Sequence, residues 1–295
     1  MNNKYILSCC STSDLSLKEY KEFDIEHIAF HYYMDNVEYI DDNFTSITSD
    51  AFYNAMASGV KTRTSQVNVE EFLNYFEPFL KDGNDIIHLT LSSGISGVIN
   101  SATTAASILS EKYPDRKIYI VDSLCGSGGY ALLMYKLSEL RKNKASIEEV
   151  KIYAENNRLR IIHHLFPSDL RYFFSGGRVK KAVGFISNII HFCPIIEANK
   201  EGKMVLRKQA IGKRKAIFEL YNLLKETADN GVNYNDLFII AHAHMKDEAE
   251  SFKTQIEGEF INLKNKIKIM EIGTTMGSHC GPGTLMLNYF GKRRD

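Results

Sequence analysis

The sequence predicts an α/β fold of two domains, and three observations carry that prediction. Apolar runs with strand character alternate with helical patterns through the first half of the chain, which implies a parallel sheet with helices on its faces. Small hydroxyl and glycine residues follow several of these runs, as at the carboxyl ends of strands in open α/β sheets. Around residue 165 the texture changes, and a hairpin joins the later buried runs. The expected division is 1–160 and 161–295, and 44% hydrophobic content in 295 residues is ample for two cores.

Composition excludes several function classes. Lys plus Arg equals Asp plus Glu, 36 each, which argues against nucleic-acid binding through bulk charge. No segment reaches the roughly 20 apolar residues that a membrane-spanning helix needs. The start, Met1 to Ser8, lacks a signal-peptide core, so the cytoplasm is the expected compartment. The five cysteines include no C-x-x-C pair, and their odd number fits reduced thiols better than a disulfide framework. A Cys280 nucleophile with His279 as its base is disfavoured, since adjacent side chains diverge.

Taken in order, Tyr5 to Cys9 reads as a first buried strand, followed by Cys10-Ser11-Thr12-Ser13. Ile25 to Tyr33 and Val37 to Ile40 read as a hairpin across Met34-Asp35-Asn36. Phe52 and Met56 mark one short helix; Phe72, Phe76 and Phe79 mark another. Between them, Lys61 to Gln66 reads as an exposed connection rich in hydroxyls.

Ile87 to Ala102 is strand, tight loop and helix, a junction that leaves N–H groups and hydroxyls pointing at one spot favourable to an anion. Thr64 and Ser96 together can hold a carboxylate or phosphate. Two independent helix caps are the alternative reading. Lys117 to Ser123 is a strand, and Gly126-Ser127-Gly128-Gly129 opens a helix without forming a nucleotide fingerprint. Ser146 to Glu149 is a capping box.

Ile161 to Phe166 reads as a strand whose His163 and His164 face opposite ways, so a shared metal is not expected. His242 and His244 share a face but lack an obvious third ligand, and no metal is expected there either. Gly176-Gly177-Arg178-Val179-Lys180-Lys181 is a compact basic cluster, read either as a cationic contact or as a solvated loop. Pro194 to Arg207 reads as a hairpin, and Phe238 to Ile240 and Ile267 to Ile272 as strands. His279, among glycines and a proline, belongs to a shaped loop and is a candidate anion donor.

Four stretches together resemble the DegV family of bacterial fatty-acid-binding proteins. They are Thr64-Ser65-Gln66, Ser92 to Gly97 with Asn100-Ser101-Ala102, Gly176-Gly177-Arg178, and His279-Cys280-Gly281-Pro282-Gly283. The resemblance spans about residues 4–293. It implies a parallel-sheet N-terminal domain plus an α/β C-terminal domain with a lipid tunnel between them. It also implies a long-chain fatty acid as ligand, no cofactor, and no catalysis by the chain itself. A separate fatty acid kinase subunit would convert the presented carboxylate to acyl phosphate for phospholipid synthesis.

By position, Thr64 and Ser96 resemble the carboxylate-binding hydroxyls, with Ser92 or Ser93 nearby, and His279 resembles the histidine joined to them. Arg178 and Arg214 resemble basic residues outside the pocket that engage the kinase or support phosphoryl transfer. Phe185, Ile189, Ile190 and Met204 are candidate tunnel residues. The chain departs from the family's opening Thr-Asp-Ser-Thr with Cys9-Cys10-Ser11-Thr12, and has Val67-Asn68-Val69 where Pro-Ser-Pro is usual. A serine hydrolase acting on small acyl esters is the alternative, although no G-x-S-x-G occurs.

Overall fold

A computed structural model describes residues 5–178 and 192–294. The first half runs β1 (Tyr5–Cys10), α1 (Leu17–Glu22), β2 (Glu26–Ile28), β3 (His31–Met34), β4 (Val37–Ile40), α2 (Ser49–Ala57), β5 (Thr62–Ser65), α3 (Val69–Lys81), β6 (Asp85–Thr90), α4 (Val98–Lys112), β7 (Ile118–Asp122), α5 (Ser127–Lys142) and α6 (Ile147–Asn157). The second runs β8 (Ile161–Phe166), α7 (Leu170–Ser175), β9 (Phe192–Ala198), β10 (Met204–Ile211), α8 (Lys213–Thr227), β11 (Phe238–Ala243), α9 (Lys246–Glu259), β12 (Ile267–Glu271), α10 (Thr274–Cys280) and β13 (Thr284–Phe290).

Three sheets result. The first is parallel, in the order β2-β1-β6-β7, and the strand order reverses between β1 and β6. Open sheets place ligands at the carboxyl ends of strands at such a reversal, where the Leu91 to Gly97 loop leaves β6. The second sheet is mixed, in the order β10-β9-β8-β13-β11-β12, with only β11 and β12 parallel. The third is a small antiparallel sheet, β4-β3-β5.

That small sheet contains a correction. The β3–β4 hairpin turns at Asp35-Asn36, both left-handed, as the sequence predicts. Residues 62–65, expected as an exposed connection, instead form β5 and pair Thr64 with Tyr32. β-branched Thr62 and Thr64 suit a strand, and β3 supplies an edge that short-range pattern does not reveal.

Helix α5 joins the two halves. Its residues Ser127 to Tyr135, with Leu137 and Ser138, are all buried. It packs on β1 on one side and on β8, β11 and β13 on the other. A helix covered on every flank has no polar stripe, which explains its weak amphipathic pattern. Tyr130 fixes it to the first sheet: its hydroxyl donates to Leu89 O and accepts from Cys10 N at 3.1 Å.

All five cysteines are buried and unbridged. Among the described residues, no helix is long and apolar enough to cross a membrane.

Candidate functional site

A cavity of about 520 Å³ lies between the halves, within the roughly 300–1,000 Å³ typical of ligand clefts. Leu165 of β8, Met286 of β13, Met204 of β10 and Phe173 of α7 give it an apolar wall. Thr64, Gln66, Ser96 and His279 also line it. Arg178 is the one formally charged side chain among the described lining residues, and no carboxylate is among them. The cavity is therefore built for an oily body with an anionic or neutral polar end.

Each polar residue reaches the cavity for a local reason. β5 delivers Thr64, whose Oγ1 is hydrogen-bonded to His279 Nε2 at 2.7 Å. The turn before α4 delivers Ser96, whose Oγ accepts from Val98 N at 3.2 Å and donates to Gln66 Oε1 at 3.3 Å. Gln66 Nε2 in turn donates to Ser101 Oγ at 3.3 Å. Two hydroxyls distant in sequence thus share one wall, each tethered to a partner that fixes its direction. As hydroxyls rotate, both can turn a donor toward a carboxylate.

His279 stands in the last turn of α10, and not in the loop expected from its glycine-rich surroundings. The N-terminus of that helix is held by buried carboxyl chemistry. Asp41 accepts from Thr274 Oγ1 at 2.8 Å and from Ser11 Oγ at 2.9 Å. Burial pushes the Asp41 and Asp14 carboxyls up from their ordinary range. Burial, with the Arg178 charge second, pushes His279 down to about 4, so its imidazole is neutral at pH 7. Among the described residues, its Nδ1 has no hydrogen-bond partner.

The first glycine of the Gly176-Gly177-Arg178 motif packs against the same histidine. A Cβ on Gly176 would overlap His279 Nδ1, so only a bare backbone fits beside the ring. Because Gly176 has φ −75°, alanine suits its backbone and only the overlap is costly. Gly176→Ala is expected to cost about 1–3 kcal/mol by overpacking, read by urea denaturation, and to shift the His279 imidazole resonances. Unchanged stability and resonances would remove this account of Gly176.

Two expectations for the serines are corrected. Ser92 and Ser93 do not line the cavity. Ser92 Oγ is buried and donates to Gly202 O at 2.9 Å, and Ser93 is exposed. The β9–β10 turn of the second half lies against this loop, so closely that a Cβ on Gly94 would overlap the Gly202 backbone. Small residues here let the halves approach; the sequence alone shows only that they are small.

Arg178, expected outside the pocket, lines it, and its Nε donates to Ile95 O at 3.4 Å. Arg214 is exposed in the first turn of α8 and does not line the cavity. Met204 does line it, whereas Phe185, Ile189, Ile190 and the Val179 to Lys181 part of the basic cluster lie outside the described residues.

Sequence reasoning singled out the stretch containing Gln66 without giving that residue its role. The i+2 step from Thr64 in a strand signals a shared face. Cys280, also on the wall, is buried, and burial pushes its thiol up to about 12. His242 and His244 face a separate polar cavity, with His244 Nδ1 3.3 Å from Asp50 Oδ1. Among the described residues, no three His, Cys, Asp or Glu side chains gather as metal ligands do.

Residues 10–292 match the sequence model of a family described as DegV, an uncharacterised protein family. The chain belongs to the DegV family. A DegV domain-containing protein of Clostridium perfringens is 32% identical over 293 residues, covering 99% of each chain. One from Streptococcus pyogenes is 29% identical over 283 residues, 96% of each.

Solved DegV-like structures share the fold. One described as a stearic acid-binding protein, from Eubacterium ventriosum, superposes with TM-score 0.88 at 23% identity, covering 98% of each chain. One described as a DegV lipid-binding protein, from Thermotoga maritima, gives 0.83 at 24% identity, covering 99% of this chain and 100% of its own. The DegV architecture of a parallel sheet plus a second sheet domain is therefore established for this chain.

Proposed function

We propose that this DegV protein binds one long-chain fatty acid in the cavity and presents its carboxylate to a separate fatty acid kinase subunit. The observation that carries the reading is the pairing of an apolar wall with a polar end formed by Thr64, Ser96, His279 and Arg178. A buried carboxylate costs several kcal/mol unless hydrogen-bonded, and two or three donors offset much of that cost. The acyl chain contributes roughly 0.8 kcal/mol per buried CH₂, so the wall supplies affinity and the polar end sets direction. DegV-like structures described as fatty-acid-binding support the same ligand class.

The kinase step is what the family resemblance implies, and the residues present are compatible with it. Hydroxyls and a neutral imidazole can orient a carboxylate without reacting with it, and in this reading activation to acyl phosphate falls to a partner that brings ATP. Arg178 at the cavity and Arg214 on α8 are the cations proposed to meet that partner or steady the transferred phosphoryl group. The reading includes a cytoplasmic location, where ATP is available, and a supply role in phospholipid synthesis. It assigns no catalytic residue to this chain.

The test is mass spectrometry of an organic extract of the purified protein. A long-chain fatty acid approaching one per chain is expected. Its absence, both as purified and after incubation with oleic acid, would overturn the reading. With a fatty acid kinase subunit and ATP, the loaded protein should yield acyl phosphate, and none should form without the kinase.

A further inference from the structure

The cavity wall carries an unexplained polar spot on the inner face of the second sheet. Leu165 lies opposite Met286, and both line the cavity. The next rung is polar: His163 of β8 lies opposite Asn288 of β13. His163 also lines the cavity and is 2% exposed. Among the described residues, its Nδ1 and the Asn288 Oδ1 both lack hydrogen-bond partners. Such groups cost about 1–3 kcal/mol each when left unpaired, so a polar rung in an apolar wall calls for a reason.

Position explains what the ring offers. A Cβ on Gly129 of α5 would sit 2.6 Å from His163 Nδ1 and 3.2 Å from Asn288 Oδ1, so the two unpartnered atoms face the same point. The two atoms are not hydrogen-bonded, but an oxygen on that side repels a nitrogen lone pair and so favours the proton on Nδ1, which leaves Nε2 as an acceptor. Burial, then the Arg294 charge, pushes the ring down to about 3 and keeps it neutral at pH 7. A neutral acceptor does not suit a carboxylate, but it suits a hydroxyl. A buried hydroxyl on the wall, Thr275 Oγ1, is also without a partner among the described residues, but it lies beside the Asp41 carboxyl, whereas no carboxyl lines the cavity at His163.

We propose that His163 is a specificity residue that accepts a hydrogen bond from a hydroxyl carried along the acyl chain, so that the preferred ligand is a hydroxylated long-chain fatty acid. This rests on the fatty-acid reading above. An unsubstituted chain would leave the histidine facing methylenes. A keto group, having no donor, would gain nothing from Nε2.

The experiment is competitive displacement of a fluorescent fatty acid from the delipidated protein. The competitors are stearic acid, a set of monohydroxystearic acids differing in hydroxyl position, and the matching oxostearic acids. One hydroxy isomer is expected to bind about five- to tenfold tighter than stearic acid, with the oxo acids at or below stearic acid. His163→Phe should abolish the preference, and His163→Gln, which keeps an acceptor, should retain part of it. Equal binding of stearic acid and every hydroxy isomer by the wild-type protein would overturn the proposal. The ligand comparison on the unaltered protein decides the matter even where a variant folds poorly. If no fatty acid binds at all, the fatty-acid reading itself falls, which is a distinct result.

Discussion

Thr64→Val is expected to weaken fatty acid binding by roughly ten- to a hundredfold while leaving the fold intact. A hydrogen bond to a charged group is worth about 1.5–3 kcal/mol, and about 1.4 kcal/mol is a factor of ten. Valine keeps the β-branched shape that pairs with Tyr32 in the β3–β5 ladder, so the strand survives the change. What disappears is the hydroxyl, and with it the partner of His279 Nε2. The effect therefore has two parts, a missing donor to the ligand and an untethered imidazole. Ser96→Ala should cost less, since Gln66, which accepts from the Ser96 hydroxyl, keeps its bond to Ser101 and holds its place. Fluorescent displacement titration reads both. Unaltered affinity in the Thr64→Val, Ser96→Ala double variant would remove these residues from the binding site.

The buried histidines should cost stability in mild acid. Burial pushes His88 and His163 down to about 3 from an ordinary value near 6.5. Below pH 6.5 the unfolded chain takes up protons that the folded chain refuses. The stability these groups contribute is thus complete above pH 6.5 and drains away as pH falls toward 3. One pH unit is worth about 1.4 kcal/mol per histidine, so the pair loses about 3 kcal/mol between pH 5.5 and 4.5.

The buried Asp14 and Asp41 act in the opposite sense, because their raised folded values favour the fold as they protonate. A variant separates the two contributions. Relative to wild type, His163→Asn should gain about 1.4 kcal/mol for each unit of acidification below pH 6, measured by urea denaturation at several pH values. A constant difference from pH 7 to 4.5 would show that His163 is not held neutral by its surroundings.

How far the sequence reaches depends on whether a signal is local. The strand–loop–helix passage from Ile87 to Ala102 and the Asp35-Asn36 turn were legible because periodicity and turn chemistry are written in neighbouring residues. β5 was not, because its identity comes from an edge offered by β3, more than two dozen residues earlier. The helical setting of His279 was hidden by glycines that serve tertiary contacts, with Gly277 placed against Tyr53. Ser92 and Ser93 misled for a related reason. Small polar residues suit a ligand loop and a tight contact between halves equally well, and only the position of Gly202 tells them apart. His163 was readable as a buried strand residue, but its exposure to a cavity depends on which rung of a six-stranded sheet it occupies.

The encasement of α5 bears on how this protein can be dissected. By chain order that helix belongs with the parallel sheet, yet it packs equally on strands contributed after residue 160. A gene split at that point would hand one fragment a greasy rod with half its coat missing and leave the other with a bare sheet. The seam that looks natural on paper cuts through shared packing.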